Sequence, residues 1–218
     1  MSSQPAGVPE AGPRSPVAGV LLAAGTSSRM GVNKMLLPLD GETVLRRAAR
    51  RALAGGLSPL LVVLGHQAEL ARRELDGLPC EVVFNPRYEE GIRSSTAAGI
   101  AALEPSVEAA VVVLADMPGV TPEMIAALAP RYRATGAPLV VSDYGGVTAP
   151  PILYHRRLFP ELVALAELSG QAGGSCGQRV VKRHRHEAEV LTWPAEALAD
   201  LDVPDDYRRL ETLATEVA

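Results

Sequence analysis

The sequence of 218 residues has few cysteines and no long apolar segment. Its two cysteines, Cys80 and Cys176, are too few for a disulfide framework, and their separation does not match the spacing of a metal site. No apolar run reaches the roughly 20 residues of a membrane-spanning helix, and residues 1–16 lack the charged and apolar regions of a signal peptide. These absences predict a cytoplasmic protein with reduced cysteines and no membrane partner.

The chain also lacks an excess of positive charge. Its 21 lysines and arginines stand against 25 acidic residues, which gives a formal net charge of −4. Proteins that bind nucleic acid present a basic face to the phosphate backbone. We therefore expect no nucleic-acid partner, and any anionic ligand has to be held by a local group of donors.

Apolar runs and amphipathic segments alternate along most of the chain. Strands are predicted at residues 17–24, 60–64, 81–84, 110–115, 139–142, 151–153 and 187–193. Helices are predicted at residues 44–53, 68–75, 95–103, 122–132, 159–168 and 205–213. This alternation predicts an α/β domain with a mainly parallel sheet flanked by helices on both faces.

Two segments fall outside this alternation. Residues 1–16 are rich in Ser, Pro, Gly and Ala without an apolar period, so a disordered tail is predicted before a single domain at residues 17–218. Residues 170–177 contain too much glycine for a helix or a strand. We interpret this second segment as a loop.

The segment at residues 22–34, here called the glycine loop, follows the first predicted strand. Gly25 and Gly31 let the backbone turn and approach a ligand closely. The loop's hydroxyl groups and cations are those of Thr26, Ser27, Ser28, Arg29 and Lys34. Backbone amides, hydroxyls and cations together form a concave surface suited to polyphosphate, so the loop predicts a bound nucleoside triphosphate.

Competing interpretations of the glycine loop fit less well. Gly25 and Gly31 enclose five residues where a Walker loop has four, and Lys34 does not directly follow Gly31. No G-x-G-x-x-G pattern is present. An ordinary glycine-rich turn with solvated cations remains the alternative, and the coincidence of strand, glycines and both cations favours the ligand loop.

Asp116 directly follows another buried strand, at residues 110–115. Because parallel strands end at the same edge of a sheet, we expect its carboxylate to face the glycine loop. A lone aspartate at a strand end often caps a turn or helix. Beside a triphosphate site, the same carboxylate is suited to hold magnesium, which takes one or two protein carboxylates and otherwise phosphate or water oxygens.

A second acidic group precedes the last predicted helix. Asp205 and Asp206 stand where negative charge stabilises a helix N-terminus. Asp200 or Asp202, before Pro204, is better placed to be the second metal ligand, and we assign Asp202 to this role.

Three segments together resemble a known family. Residues 22–34 match the pattern L-A-A-G-x-S-x-R-M-G-x-x-K without a gap. Residues 91–95 resemble a G-x-x-S-S nucleotide-contact segment, and residues 114–118 are similar to L-A-D-Q-P. The chain resembles the molybdenum cofactor cytidylyltransferase branch of the MobA-like nucleotidyltransferase superfamily.

This resemblance implies a Rossmann-like, glycosyltransferase-A type fold and a function. The implied reaction transfers CMP from Mg2+-bound CTP to the terminal phosphate of a molybdopterin-type cofactor, with release of pyrophosphate and with a molybdoenzyme as a further partner. The implied nucleotide-binding residues are Leu22, Ala23, Ala24, Gly25, Thr26, Ser27, Arg29, Met30, Gly31, Lys34, Gly91, Ser94 and Ser95. The implied catalytic residues are Arg29, Lys34 and Asp116, and the implied metal ligands are Asp116 and Asp202.

The choice of CTP over GTP follows from the Ala-Ala-Gly form of the loop, since Ala-Gly-Gly is the form that resembles guanylyltransferases. The methyl group of Ala24 is expected to crowd the space of a purine, an effect of about 1 to 3 kcal/mol.

The acceptor side departs from the family pattern. A G-D-x-G-A-R-like segment is replaced at residues 170–175, Met117 stands in place of Gln, and residues 149–152 replace a G-N-P-V-like strand. The basic run at residues 182–186 is either a receiver of the anionic acceptor or a solvated surface strip. Two alternative functions stay open: nucleotidyl transfer to a sugar phosphate or another small phosphate, and a non-catalytic nucleotide-binding chaperone for cofactor insertion.

Overall fold

The computed structural model describes residues 16–28, 30–167, 176–199, 201 and 205–207. Its strands are β1 (Ala18–Ala23), β2 (Pro38–Leu39), β3 (Glu42–Thr43), β4 (Leu60–Leu64), β5 (Glu81–Phe84), β6 (Ala109–Leu114), β7 (Leu139–Tyr144), β8 (Val147–His155) and β9 (Ala188–Trp193). Its α-helices are α1 (Val44–Ala54), α2 (Ala68–Arg73), α3 (Ile92–Ala101), α4 (Pro122–Thr135), α5 (Phe159–Glu167) and α6 (Cys176–Arg183).

Seven of these strands form one sheet in the order β5-β4-β1-β6-β8-β7-β9. Strand β1 pairs in parallel with β4 and β6, and the pairs β4–β5 and β7–β9 are also parallel. Only β8 runs antiparallel to its neighbours in this sheet, which are β6 and β7. Strands β2 and β3 form a separate antiparallel pair. The predicted fold class, a mainly parallel sheet flanked by helices, is confirmed.

The central strands are apolar along their whole length because helices cover both faces of the sheet. One hydrophobic core lies on the face covered by α1 and α4, where Leu45 and Ile125 are buried. The other lies on the face covered by α3 and α5, where Ile100 and Leu162 are buried. This two-sided burial explains why the strands read as continuous apolar runs in the sequence.

Helix α3 begins at Ile92, three residues before the predicted start at Ser95. The sequence suggested Ser95 because serine often caps a helix, but Gly91 occupies the cap position, with φ +90°. The serines consequently lie in the first turn of α3, where their burial depends on tertiary contacts.

Strand β8 is longer than the extended segment predicted at residues 151–153. Pro150 and Pro151 suggested a short segment, since proline cannot donate to a strand ladder. The pairing with β7 shifts register between Val140 and Ser142, and the Ser142 hydroxyl donates to the Pro151 carbonyl oxygen at 2.7 Å. This irregularity accommodates the prolines inside the sheet.

Helix α6 was not among the predicted elements, because the glycines of residues 170–177 obscured its start. Its Val180 and Val181 are buried in the core beside α5. The predicted tail, apart from Pro16, and residues 168–175 lie outside the described residues. Within the described part of the chain, no helix has the length and apolar character needed to cross a bilayer.

Candidate functional site

The glycine loop and Asp116 meet at one edge of the sheet because β1 and β6 are parallel neighbours. Leu22 on β1 pairs with Leu114 on β6, and the Ala115 amide donates to the Leu22 carbonyl oxygen at 3.1 Å. Asp116, the next residue, therefore stands beside the start of the loop, as the strand order predicts.

Lys34 and Asp116 form an ion pair although 82 residues separate them in the chain. The Lys34 Nζ lies 2.6 Å from the Asp116 Oδ2, and the two side chains are 11% and 25% exposed. The structure thus brings one predicted phosphate ligand and one predicted metal ligand into direct contact.

The backbone of Lys34 is held in place by its neighbours. Its amide donates to the Ser27 Oγ at 3.1 Å, and the Ser27 carbonyl oxygen accepts from the Met30 amide at 2.9 Å. Lys34 begins a short 3-10 helix that Asn33 caps by accepting from the Met35 amide at 3.0 Å. The loop therefore closes on itself and fixes the backbone from which the Lys34 side chain extends.

Asn33 also ties the loop to the segment after β4. Its side-chain amide donates to the Gln67 Oε1 at 3.2 Å and to the His66 carbonyl oxygen at 3.5 Å. Asn33 was not among the predicted site residues. An asparagine just before a helix is a capping signal, which could have identified it.

A pocket of about 200 Å³, here called the loop pocket, lies between the glycine loop and Asp116. It is lined by Leu22, Ala23, Gly25, Thr26, Ser27, Ser28, Met30, Lys34, Met35 and Asp116. Ala24 is instead buried in the core on the α3 side of the sheet. Most of the predicted nucleotide ligands of the loop therefore face one cavity.

The two positions of the loop favour glycine for different structural reasons. Gly31 has φ +71°, a conformation that favours glycine, whereas a Cβ atom built on Gly25 would meet no protein atom within 4 Å. Because Gly25 faces the loop pocket, the space in front of its backbone is available to a ligand.

A larger pocket of about 560 Å³ adjoins the loop pocket at Leu22. The other residues that line it are Ile92, Thr96, Val112, Leu114, Met117, Thr148, Ala149, Pro150, Ile152, Tyr154, Gly177 and Gln178. Among these described residues, none carries a charged side chain. The larger pocket therefore suits the uncharged part of a ligand whose phosphate lies in the loop pocket.

Ser94 and Ser95 lie in the first turn of α3 and are buried. The Asn85 side-chain amide donates to both hydroxyl oxygens, at 2.9 and 3.0 Å. The Ser94 hydroxyl lies within hydrogen-bond distance of the carbonyl oxygens of Arg87 and Gly91, at 2.7 and 2.9 Å, and its single proton can be donated to either, so it stabilises the entry into α3. The nucleotide contacts predicted for Gly91, Ser94 and Ser95 stay predictions.

The sequence analysis missed Asn85, which is itself buried and organises this turn. Its Oδ1 accepts from the Arg87 amide at 3.0 Å, so both polar atoms of its side chain are hydrogen-bonded at the end of β5. An asparagine directly after an apolar strand is the sequence signal that could have pointed to it.

Three of the predicted site residues, Arg29, Asp200 and Asp202, lie outside the described residues. In the described part of the chain, no group of three or more His, Cys, Asp or Glu residues could hold a metal ion. Asp116 is the acidic residue in the lining of the loop pocket. A metal ion at this site would accordingly take most of its ligands from substrate phosphates and water.

The basic run at residues 182–186 packs mainly against α5. Arg183 Nη1 lies 2.7 Å from Glu161 Oε1, and His184 contacts Glu161 at 2.8 Å and Glu187 at 3.1 Å. Hydrogen bonds raise the pKa of His184 above its ordinary value, with the larger contribution from Glu161 and a smaller one from Glu187. Arg185 approaches the larger pocket, where it donates to the Thr148 Oγ1 at 3.5 Å.

Comparisons with known proteins agree with this architecture. The family model described as a MobA-like NTP transferase domain matches residues 19–189. The chain is 31% identical over 210 residues to the purine catabolism protein PucB of Bacillus subtilis, which covers 89% of this chain and 96% of that protein. It is 26% identical over 199 residues to the molybdenum cofactor cytidylyltransferase of Escherichia coli, with coverage of 91% and 97%.

A solved structure shows the same fold. The crystal structure of Rv0371c from Mycobacterium tuberculosis H37Rv has a TM-score of 0.78 to this chain at 29% identity, and the match covers 91% of this chain and 98% of that chain. Rv0371c has also been solved in complex with manganese.

Proposed function

The chain belongs to the family of MobA-like NTP transferase domains, and on this premise we propose that it transfers CMP from CTP to the terminal phosphate of a molybdopterin-type cofactor. Pyrophosphate is the second product. The observation that carries the proposal is the convergence of Lys34 and Asp116 on the loop pocket, at the edge where two parallel neighbouring strands end. The similarity to the molybdenum cofactor cytidylyltransferase of Escherichia coli supports the choice of substrates.

In this proposal the loop pocket holds the triphosphate. The hydroxyl groups of Thr26, Ser27 and Ser28 line the pocket and can donate to phosphate oxygens. Lys34 supplies a positive charge there, and Arg29 is proposed to supply a second. Both cations stabilise the negative charge that builds on the departing pyrophosphate.

The donor set fits a divalent metal such as Mg2+. Asp116 offers hard carboxylate oxygens at the wall of the loop pocket, and magnesium needs only one or two carboxylates when phosphates complete its shell. We propose Asp116 and Asp202 as its protein ligands. A bound metal ion would neutralise phosphate charge and polarise the reacting phosphorus. The manganese complex of the relative Rv0371c supports a metal site in this fold.

The acceptor phosphate attacks the α-phosphorus of CTP, and pyrophosphate leaves. A phosphomonoester has a second pKa near ~6, so its oxygen is already deprotonated at pH 7 and needs no general base. This agrees with the absence of histidine among the described residues that line either pocket. The protein's contribution is to position the two substrates and to stabilise charge.

A second candidate function is transfer to a sugar phosphate or another small phosphate. The observation that favours it is the uncharged lining of the larger pocket, where Thr96 and Thr148 offer hydroxyl groups suited to the hydroxyls of a sugar. A non-catalytic role as a nucleotide-binding chaperone is the third possibility, since the same loop pocket would bind nucleotide without turnover.

Pyrophosphate release separates these functions. The full chain is incubated with Mg2+ and each of CTP, GTP, ATP and UTP, together with molybdopterin cofactor or a panel of sugar phosphates. We expect pyrophosphate from CTP with the molybdopterin cofactor. Release with a sugar phosphate alone would establish the second function, and nucleotide binding without release for any acceptor would contradict catalysis.

A further inference from the structure

The ion pair at the loop pocket occupies the carboxylate that the proposed function assigns to the metal. Lys34 Nζ lies 2.6 Å from Asp116 Oδ2, the distance of a strong charge-assisted hydrogen bond. Lys34 is only 11% exposed, so solvent weakens this contact much less than it weakens a surface ion pair. Asp116 therefore has a cationic partner supplied by the protein itself.

We infer that Lys34 and a divalent metal ion compete for the Asp116 carboxylate, and that the triphosphate resolves this competition by drawing Lys34 away. The inference rests on the proposed function, which places the metal ion at Asp116. It adds that the protein takes up the metal ion together with the nucleotide and binds it weakly before the nucleotide arrives.

Charge balance gives the physical reason. Lys34 and Asp116 neutralise each other, so a divalent cation added without nucleotide would meet a carboxylate whose charge is already compensated. Two cations at one carboxylate also repel each other in a partly buried site. A triphosphate brings enough negative charge to satisfy both, because Lys34 can then bind phosphate while Asp116 becomes available to the metal ion.

The geometry permits this exchange with little movement. The Lys34 amide is fixed by Ser27, and Asn33 caps the 3-10 helix that Lys34 begins, so the backbone stays in place. The ammonium group sits on a flexible stem of four carbons. Since Lys34, Asp116 and the loop hydroxyls line the same pocket of about 200 Å³, rotation of the stem can move Nζ from the carboxylate to a phosphate without leaving the pocket.

Mn2+ titration of the nucleotide-free full chain, followed by the electron paramagnetic resonance signal of free Mn2+, tests the competition. Lys34→Met removes the charge and keeps a similar side-chain length. We expect it to bind Mn2+ about ten-fold more tightly than the wild type, a coupling within the ordinary range for two linked ligands. Lys34→Arg keeps the charge and should bind Mn2+ as weakly as the wild type.

The chain offers a matched control, because Lys182 is its only other lysine. Lys182 is exposed on α6, so Lys182→Met should leave Mn2+ affinity unchanged. Asp116→Asn should abolish the tight binding when it is combined with Lys34→Met. Circular dichroism checks that each variant is folded, and Lys34→Gln serves as a second neutral variant if Lys34→Met does not fold.

The outcomes separate the inference from the proposed function. If neutral variants at Lys34 bind Mn2+ no more tightly than the wild type while Asp116→Asn abolishes Mn2+ binding in the presence of CTP, the competition is overturned and the metal site stands. If Asp116→Asn binds Mn2+ and CTP as the wild type does, the metal is not at Asp116, and the proposed function loses its metal site as well.

Discussion

Gly25 and Gly31 serve different purposes in the glycine loop: Gly31 allows the backbone conformation, and Gly25 leaves space for a ligand. Gly31 has a positive φ of +71°, which an L-residue rarely adopts. Gly25 has open space where a side chain would project, so the folded chain itself would tolerate a methyl group there. Alanine at position 31 should therefore lower the stability of the protein, whereas alanine at position 25 should lower its affinity for the nucleotide.

We predict that Gly25→Ala leaves the free energy of unfolding unchanged within about 0.5 kcal/mol, as is usual for a substitution that disturbs no packing. The added methyl group projects into the loop pocket, so the affinity for CTP should fall. Thermal unfolding and a calorimetric titration with CTP measure the two quantities. Gly31→Ala is the matched control and should lose about 1 kcal/mol of stability. Unchanged CTP affinity in Gly25→Ala would show that the triphosphate does not approach this backbone.

Asp116 gives the second prediction at this scale. Asp116→Asn keeps the size and shape of the side chain and removes the negative charge, so the protein should fold while the rate of pyrophosphate release falls by about 10² or more. The rate is measured with saturating CTP and acceptor, and circular dichroism confirms the fold. A rate equal to that of the wild type would remove Asp116 from the mechanism.

The meeting of Lys34 and Asp116 could be predicted from the sequence, because both follow strands whose apolar runs mark them as central and parallel. The roles of Asn33 and Asn85 could not be predicted in the same way. Asn33 bonds to a loop that follows β4, and Asn85 is buried by a turn of α3 that begins earlier than its serines suggest. A local pattern can mark each asparagine as a cap or a strand end, but its partners in the fold are set by tertiary neighbours.

At the scale of elements, α3 packs unusually closely on the sheet. A Cβ atom at Gly99 would lie 2.4 Å from Val20 Cγ1 and 2.8 Å from Val63 Cγ2, and both valines are fully buried. Glycine inside a helix costs about 1 kcal/mol relative to alanine, so a contact of this kind has to outweigh helix propensity. The absence of a side chain at residue 99 thus fixes the distance between α3 and the strands that end at the loop pocket.

We predict that Gly99→Ala destabilises the protein by about 1 to 3 kcal/mol, the range for overpacking a filled core, despite its better helix propensity. Denaturant unfolding measures the change. The double variant Gly99→Ala with Val20→Ala should recover part of the loss, since shortening Val20 makes room for the new methyl group. A stabilised Gly99→Ala protein would contradict the close approach of α3.

Helices α5 and α6 are joined by charged groups, and this gives a prediction on pH. The hydrogen bonds to Glu161 and Glu187 raise the pKa of His184 in the folded protein. Protonated His184 therefore stabilises the folded state fully below its unfolded pKa of about 6.5, and this contribution is lost as the pH rises through the higher folded value.

The free energy of unfolding of the wild type should therefore exceed that of His184→Gln by more at pH 6 than at pH 9, as measured by denaturant titration at each pH. His186→Gln is the matched control, because the His186 side chain is 75% exposed, and it should follow the wild-type profile. Parallel profiles of the wild type and His184→Gln would show that His184 does not link α6 to α5.

Elements whose apolar residues recur with a clear period could be predicted from the sequence. Elements in which glycine or proline obscures that period were missed or made too short. The central strands and α1 were predicted because apolar residues recur at strand or helix spacing. Helix α6 was missed because its first turn follows a glycine-rich run, and β8 was shortened by its two prolines. In both cases packing against a neighbour overrides the local signal.

For the molecule as a whole, the strand order decides where chemistry can occur. The parallel core of β1, β4, β5 and β6 brings the glycine loop and Asp116 to one edge, while β8, with its antiparallel pairing, and α6 line the larger pocket beside it. The meeting of the glycine loop with Asp116 could be predicted from the sequence because each follows a central parallel strand. The larger pocket could not, because it is assembled from segments that are distant in the chain.

The most direct test of the central claim is a crystal structure of the full chain with CTP and Mn2+, recorded at the manganese absorption edge. We predict an anomalous peak at the Asp116 carboxylate, next to a triphosphate that lies against the glycine loop and contacts Lys34. A triphosphate bound elsewhere on the molecule, or a manganese peak remote from Asp116, would contradict the account.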